Sequence, residues 1–82
     1  MDMDRTQIEE TVLVVLTTIL KRPFHNSADI TRQNTASWDS LKHIEIMFAL
    51  EDELGAEFSE GELVRLDSVA KIVDAVLAKH AA

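Results

Sequence analysis

Along this chain the apolar positions recur at helical spacing in four stretches, separated by polar or turn-forming segments. In residues 6–21, Ile8, Val12, Val15, Leu16 and Ile19 make one stripe, and Leu13 and Leu20 widen it. The run from Thr11 to Ile19 is rich in β-branched residues, which favour strands. A helix is predicted all the same, because Glu9 and Glu10 lie in the first turns, Lys21 and Arg22 at the end, and Pro23 follows as a stop. In residues 40–54, Ile46, Met47, Leu50 and Leu54 form a core line, and Gly55 sits where a C-cap is expected. Ser59-Glu60-Gly61-Glu62 fits a capping box and starts a short third helix, with Leu63, Val64 and Leu66 predicted to point inward. Residues 68–80 close the chain with Val69, Ile72, Val73, Val76 and Leu77 on one face. The prediction is all-α: one domain over residues 1–82, an up-and-down bundle of three longer helices and a short helix three. Leu16, Ile19, Met47, Leu50, Leu54, Val69, Ile72 and Val76 are the expected core.

Residues 22–38 make a long connection between helices one and two, with turn formers Asn26, Ser27, Asp29, Asn34 and Ser37. Loops of this length in a small domain are functional or anchored by their own side chains. Phe24, Ile30 and Trp38 are the expected anchors. Trp38 has two readings, a core plug or part of a surface that partners contact.

Eighty-two residues lie near the lower limit of what folds alone without disulfides or metal, and this chain has no cysteine. It therefore has no thiol of its own. Its longest unbroken apolar run, Val12 to Leu16, is far too short to span a membrane, and Met1-Asp2-Met3-Asp4 lacks the character of a signal peptide. A monomeric cytoplasmic domain is expected. The net charge of −7 is unevenly placed: residues 39–62 hold eight acids and one base. Such a field repels nucleic acid and anionic lipid and attracts basic protein surfaces, although acidic runs also serve as solvated helix faces.

At the start of that acidic segment stands Asp39-Ser40-Leu41, at the predicted start of helix two. Asp39 or Ser40 is suited to cap the open backbone N–H groups. The same N–H groups and the helix macrodipole favour an anion such as phosphate, so a serine here suits a phosphodiester. Ser40, Ile44 and Phe48 share a face at i, i+4, i+8, flanked by Glu45, Glu51 and Asp52. Either Ile44 and Phe48 pack under the long loop, or they form an apolar line for a partner. His43 is predicted to be an exposed residue of the second turn, with no catalytic or metal role. Asp67-Ser68-Val69 is a second Asp-Ser-apolar triplet, for which a plain N-cap role suffices. An EF-hand fails, because Gly55 or Gly61 at the sixth loop position would put Leu50 or Ala56 at the first. No metal cluster, phosphate-binding glycine loop or Ser-His-Asp set can be assembled, so the chain is not expected to be an enzyme.

Asp39-Ser40-Leu41, the run Leu50-Glu51-Asp52-Glu53-Leu54 and the connector Phe58-Ser59-Glu60-Gly61-Glu62 together resemble the acyl carrier protein family. The resemblance covers nearly the whole chain and is densest from Thr35 to Val76. It implies a four-helix acyl-carrier-protein-like bundle. It also implies 4′-phosphopantetheine, derived from coenzyme A and esterified to Ser40, whose terminal thiol holds acyl or aminoacyl groups as thioesters. On the same resemblance Asp39 helps position a phosphopantetheinyl transferase or its metal, and Leu41 fixes the helix start by packing inward. Ile44, Glu45, Phe48, Glu51 and Asp52 would dock that transferase and the loading ligases, synthases or transferases through basic surfaces. The chain departs from the fatty-acid-synthesis pattern at two places: Ser37-Trp38 precedes the motif in place of small residues, and Lys42-His43 follows it in place of an acid. Those departures look more like stand-alone carriers of a dedicated pathway. The alternative reading is an unmodified acidic helical adaptor that binds a basic partner surface.

Overall fold

The computed structural model describes residues 4–24 and 30–81, and it is all-helical. Its elements are α1 (Arg5–Leu20), α2 (Ser40–Leu54), α3 (Glu60–Arg65) and α4 (Val69–Ala81). Asp4 starts α1 through a reciprocal box: its carboxylate accepts from the Gln7 amide at 2.8 Å, and the Gln7 side chain accepts from the Asp4 amide at 3.0 Å. The helix stops at Lys21, whose φ of 57° is left-handed and whose N–H donates to the Thr17 carbonyl at 3.0 Å. The β-branched run is thus helical, because its apolar residues fall on one buried stripe: Ile8, Val12, Val15, Leu16 and Leu20.

Helix α2 runs over the predicted residues 40–54. Asp39 rather than Ser40 is its cap, accepting from the Lys42 amide at 2.9 Å, and Gly55 ends it with a φ of 63°. That left-handed C-cap is where glycine's freedom is needed. The predicted Ser59–Glu62 box is present, with bonds of 3.2 Å and 2.9 Å. Helix α1 packs against both α2 and α4. Seven of the eight expected core positions are buried, and Ile19 alone is half-buried at the rim.

The connection before α2 is anchored as expected. Phe24 and Ile30 pack half-buried against the core, and Trp38 is buried within it, which decides for the core plug. Asn26, Ser27 and Asp29 lie outside the described residues. Residues 30–33 are stitched to the α3–α4 junction. Val69 N–H donates to the Ile30 carbonyl at 3.1 Å, Arg32 N–H donates to the Asp67 carbonyl at 2.8 Å, and Thr31 bridges Ser68. Among the described residues no helix is long and apolar enough to cross a membrane.

Two measurements check this account. Leu50 is fully buried, so Leu50→Ala should lower unfolding free energy by about 2–5 kcal/mol in denaturant titration. Asp67 accepts from the Gln33 side chain at 2.8 Å and from Lys71 at 2.9 Å, and these bonds hold its pKa below the ordinary carboxylate value. A carboxyl depressed in the folded state stabilises above its unfolded pKa of about 3.9, and that stability is lost as pH falls through the lower folded value. Asp67→Asn should therefore show a shallower decline of the denaturation midpoint below about pH 4 than the wild type.

Candidate functional site

Ser40 is the first residue of α2, and its side chain is exposed. The cap explains this placement: Asp39 turns its carboxylate back onto the helix amides, leaving Ser40 Oγ to face outward. There Oγ accepts a 2.7 Å hydrogen bond from Arg32 Nη2, reaching across from the loop. From Ser40 a groove of about 430 Å³ runs between α2 and α3, bounded by Arg32, Ile44, Met47, Phe48, Leu63 and Val64. Its surface is mostly apolar, with Arg32 and Glu60 as the charged residues along it.

The two Asp-Ser-apolar triplets come out differently. Ser68 is buried, its hydroxyl accepts from the Lys71 amide at 3.1 Å, and its main chain pairs with Thr31. It is a cap with no open face. Ser40 is open on the same criteria.

Three expectations are corrected. His43 is buried, 6 % exposed, because it faces Trp38 rather than solvent. The indole Nε1–H can only donate, and it does so to His43 Nδ1 at 3.0 Å. That leaves the proton on His43 Nε2, which donates to the Leu63 carbonyl. A single imidazole thus bonds the end of the loop to α3. Leu41 does not pack inward: it is 67 % exposed, since the cap sets the start of the helix and the core face belongs to Ile46, Met47 and Leu50. Val64 is 76 % exposed as well, because six residues of α3 turn Leu63 toward the groove floor and Val64 to its lip.

The proposed docking residues stand on α2 as expected, with one difference in kind. Ile44 and Phe48 are exposed, so they do not pack beneath the loop; with Leu41 and Val64 they are four of the five exposed large apolar side chains among the described residues. An exposed apolar cluster of this kind suits contact with a partner surface. Glu45 and Asp52 are exposed beside it, and Glu45 is paired with Lys42 at 3.4 Å. Glu51 is half-buried, and its carboxylate accepts from the Phe58 amide at 3.0 Å. It braces the connector after α2. Sequence reasoning missed Arg32, whose one available sign was that it is the only Lys or Arg in residues 23–38. No family model matches this chain, and no curated protein matches it.

The Trp38–His43–Leu63 chain predicts a measurable cost. His43→Ala leaves a buried indole N–H and a carbonyl without partners, at about 1–3 kcal/mol for each unsatisfied group. Trp38 is the only tryptophan, so its emission reports on this spot alone. The variant should lower the denaturation midpoint and shift native emission to the red; an unchanged midpoint would show that the chain carries no stability.

Proposed function

We propose that this protein is a carrier that bears 4′-phosphopantetheine on Ser40 and offers the attached acyl or aminoacyl group to partner enzymes of a dedicated pathway in the cytoplasm. One observation carries the reading above the others. Of two serines in the same Asp-Ser-apolar context, Ser40 is exposed at the head of an apolar groove, and Ser68 is buried and committed to a cap.

The residues present fit the group. A phosphodiester on Ser40 Oγ would stand at the amino end of α2, where helix amides and Arg32 favour negative charge. The apolar walls of the groove suit an alkyl cargo. The arm, when attached, supplies the thiol that this cysteine-free chain lacks. The chain's own part in modification is to present Oγ, since a serine hydroxyl is a weak nucleophile without an adjacent base. Oγ attacks the pantetheine-side phosphorus of coenzyme A. The new O–P bond forms as the bond to 3′,5′-ADP breaks, and the serine proton passes to a base on the transferase. Asp39 stays engaged with the Lys42 amide at 2.9 Å and keeps Ser40 at the helix start.

The acidic surface with its apolar centre suits a basic enzyme face with apolar contacts of its own. That same surface also favours the second reading, an unmodified adaptor for a basic partner. Intact mass after coexpression with a broad-specificity phosphopantetheinyl transferase separates the two. A gain of one phosphopantetheine is expected for the wild type and for Ser68→Ala, and none for Ser40→Ala with its helix content intact. An unmodified wild type would favour the adaptor, and a modified Ser40→Ala would falsify the assignment.

Docking has its own test. Glu45→Lys with Asp52→Lys should slow modification and loading severalfold at low salt, and the wild-type rate should fall as salt rises. Stability should change by only about 0–1 kcal/mol, as for exposed charges. Glu51 is left out because its carboxylate holds the Phe58 amide. Equal low-salt rates for wild type and double variant would sink the acidic docking face.

A further inference from the structure

We infer that Arg32 is a positioning residue for the phosphodiester, holding it at the mouth of the α2–α3 groove so that the arm starts along the apolar floor. The inference rests on the reading that Ser40 is the attachment point. Its own basis is the pairing of cations in this fold. Arg5, Lys42, Lys71 and Lys79 each lie against a carboxylate, at distances of 2.8 to 3.4 Å. Arg32, like Lys21, Arg22 and Arg65, has no carboxylate within ion-pair distance among the described residues, and of these four it is the one whose side chain hydrogen-bonds another side chain, the neutral Ser40 hydroxyl at 2.7 Å. In a chain of net charge −7 an unpaired guanidinium against one particular oxygen marks a place where negative charge is accommodated.

The backbone keeps it there. Arg32 N–H donates to the Asp67 carbonyl at 2.8 Å, and Thr31 beside it bridges Ser68, so the side chain projects from a segment fastened to the α3–α4 junction. Esterification replaces the hydroxyl hydrogen of Ser40 with phosphorus and adds two non-bridging oxygens that share one negative charge. A planar guanidinium with five donors matches that pair, and a charge-assisted bond is stronger than the one to the hydroxyl. Glu60, also lining the groove, repels the same phosphate and favours the Arg32 side. Helix amides attract any anion at Ser40, whereas Arg32 adds a direction.

The test begins from protein modified by coexpression with a broad-specificity transferase and verified by intact mass. In wild type, the side-chain Nε–H resonance of 15N-labelled Arg32 should move on modification, away from its position in both the unmodified protein and Ser40→Ala, with the other arginines unmoved. The 31P resonance should be displaced from its position in the same protein unfolded in urea. Arg32→Gln should lose more than half of that displacement, and Arg32→Lys should retain most of it. A contact that merely ties the loop to α2 would leave the 31P resonance unaffected. Modified protein whose Arg32 resonance stays put, or whose 31P displacement is the same in Arg32→Gln, overturns the role of Arg32 and leaves Ser40 standing. A wild type that gains no mass overturns both. The arginine resonance needs no variant, so a poorly folded Arg32→Gln does not blunt the experiment.

Discussion

The structure depends on one hydrogen-bond chain, buried at the Trp38 indole and running through His43 to the half-buried Leu63 carbonyl. Trp38 ends the long connection, His43 lies one turn into α2, and Leu63 belongs to α3. A buried indole N–H must find an acceptor, and the imidazole that supplies it has one remaining donor, which reaches the third element. This matters most for α3. Its six residues include none that is buried, its capping box is exposed, and the Lys79–Glu62 pair at 2.8 Å is only half-buried. Such a helix contributes little stability by itself. Bonds from outside hold it against α2, and so maintain the groove between them.

A second set of ties acts on the other side of Ser40. Residues 30–33 are fastened by main-chain bonds to the α3–α4 junction, which consumes the polar groups of Ser68 and Asp67 and brings the Arg32 side chain over Ser40. One arrangement therefore disposes of both Asp-Ser triplets, committing Ser68 to structure and leaving Ser40 open. The acidic segment divides likewise. Glu51 and Glu62 brace connectors and helices, and Glu45 and Asp52 remain available at the surface beside Ile44 and Phe48.

Local chemistry was legible in the sequence where it acts over a few residues. Gly55 as a left-handed cap, the Ser59–Glu62 box and the buried lines on α2 and α4 all depend on neighbours one to eight positions apart, and all are as read except that Leu77 is half-buried at the edge of the α4 line. The start of α1 was read one residue late, at Thr6, because the apolar stripe begins only at Ile8. Leu41 and Val64 misled because an apolar residue within a helix suggests the core. Their direction is set by helix rotation, which the stronger stripes decide.

What the sequence alone determined is the all-helical class, the four elements and the prominence of Ser40, since periodicity and capping are properties of contiguous residues. What only tertiary structure decided is the environment of individual polar side chains. His43 is indistinguishable from a surface histidine until Trp38, five residues away, is buried beside it. Arg32 meets Ser40 through a loop anchored to residues more than thirty positions further on. The openness of Ser40 and the burial of Ser68 follow from those distant contacts, because burial is a property of what packs against a residue and not of the residue's own neighbours in the chain.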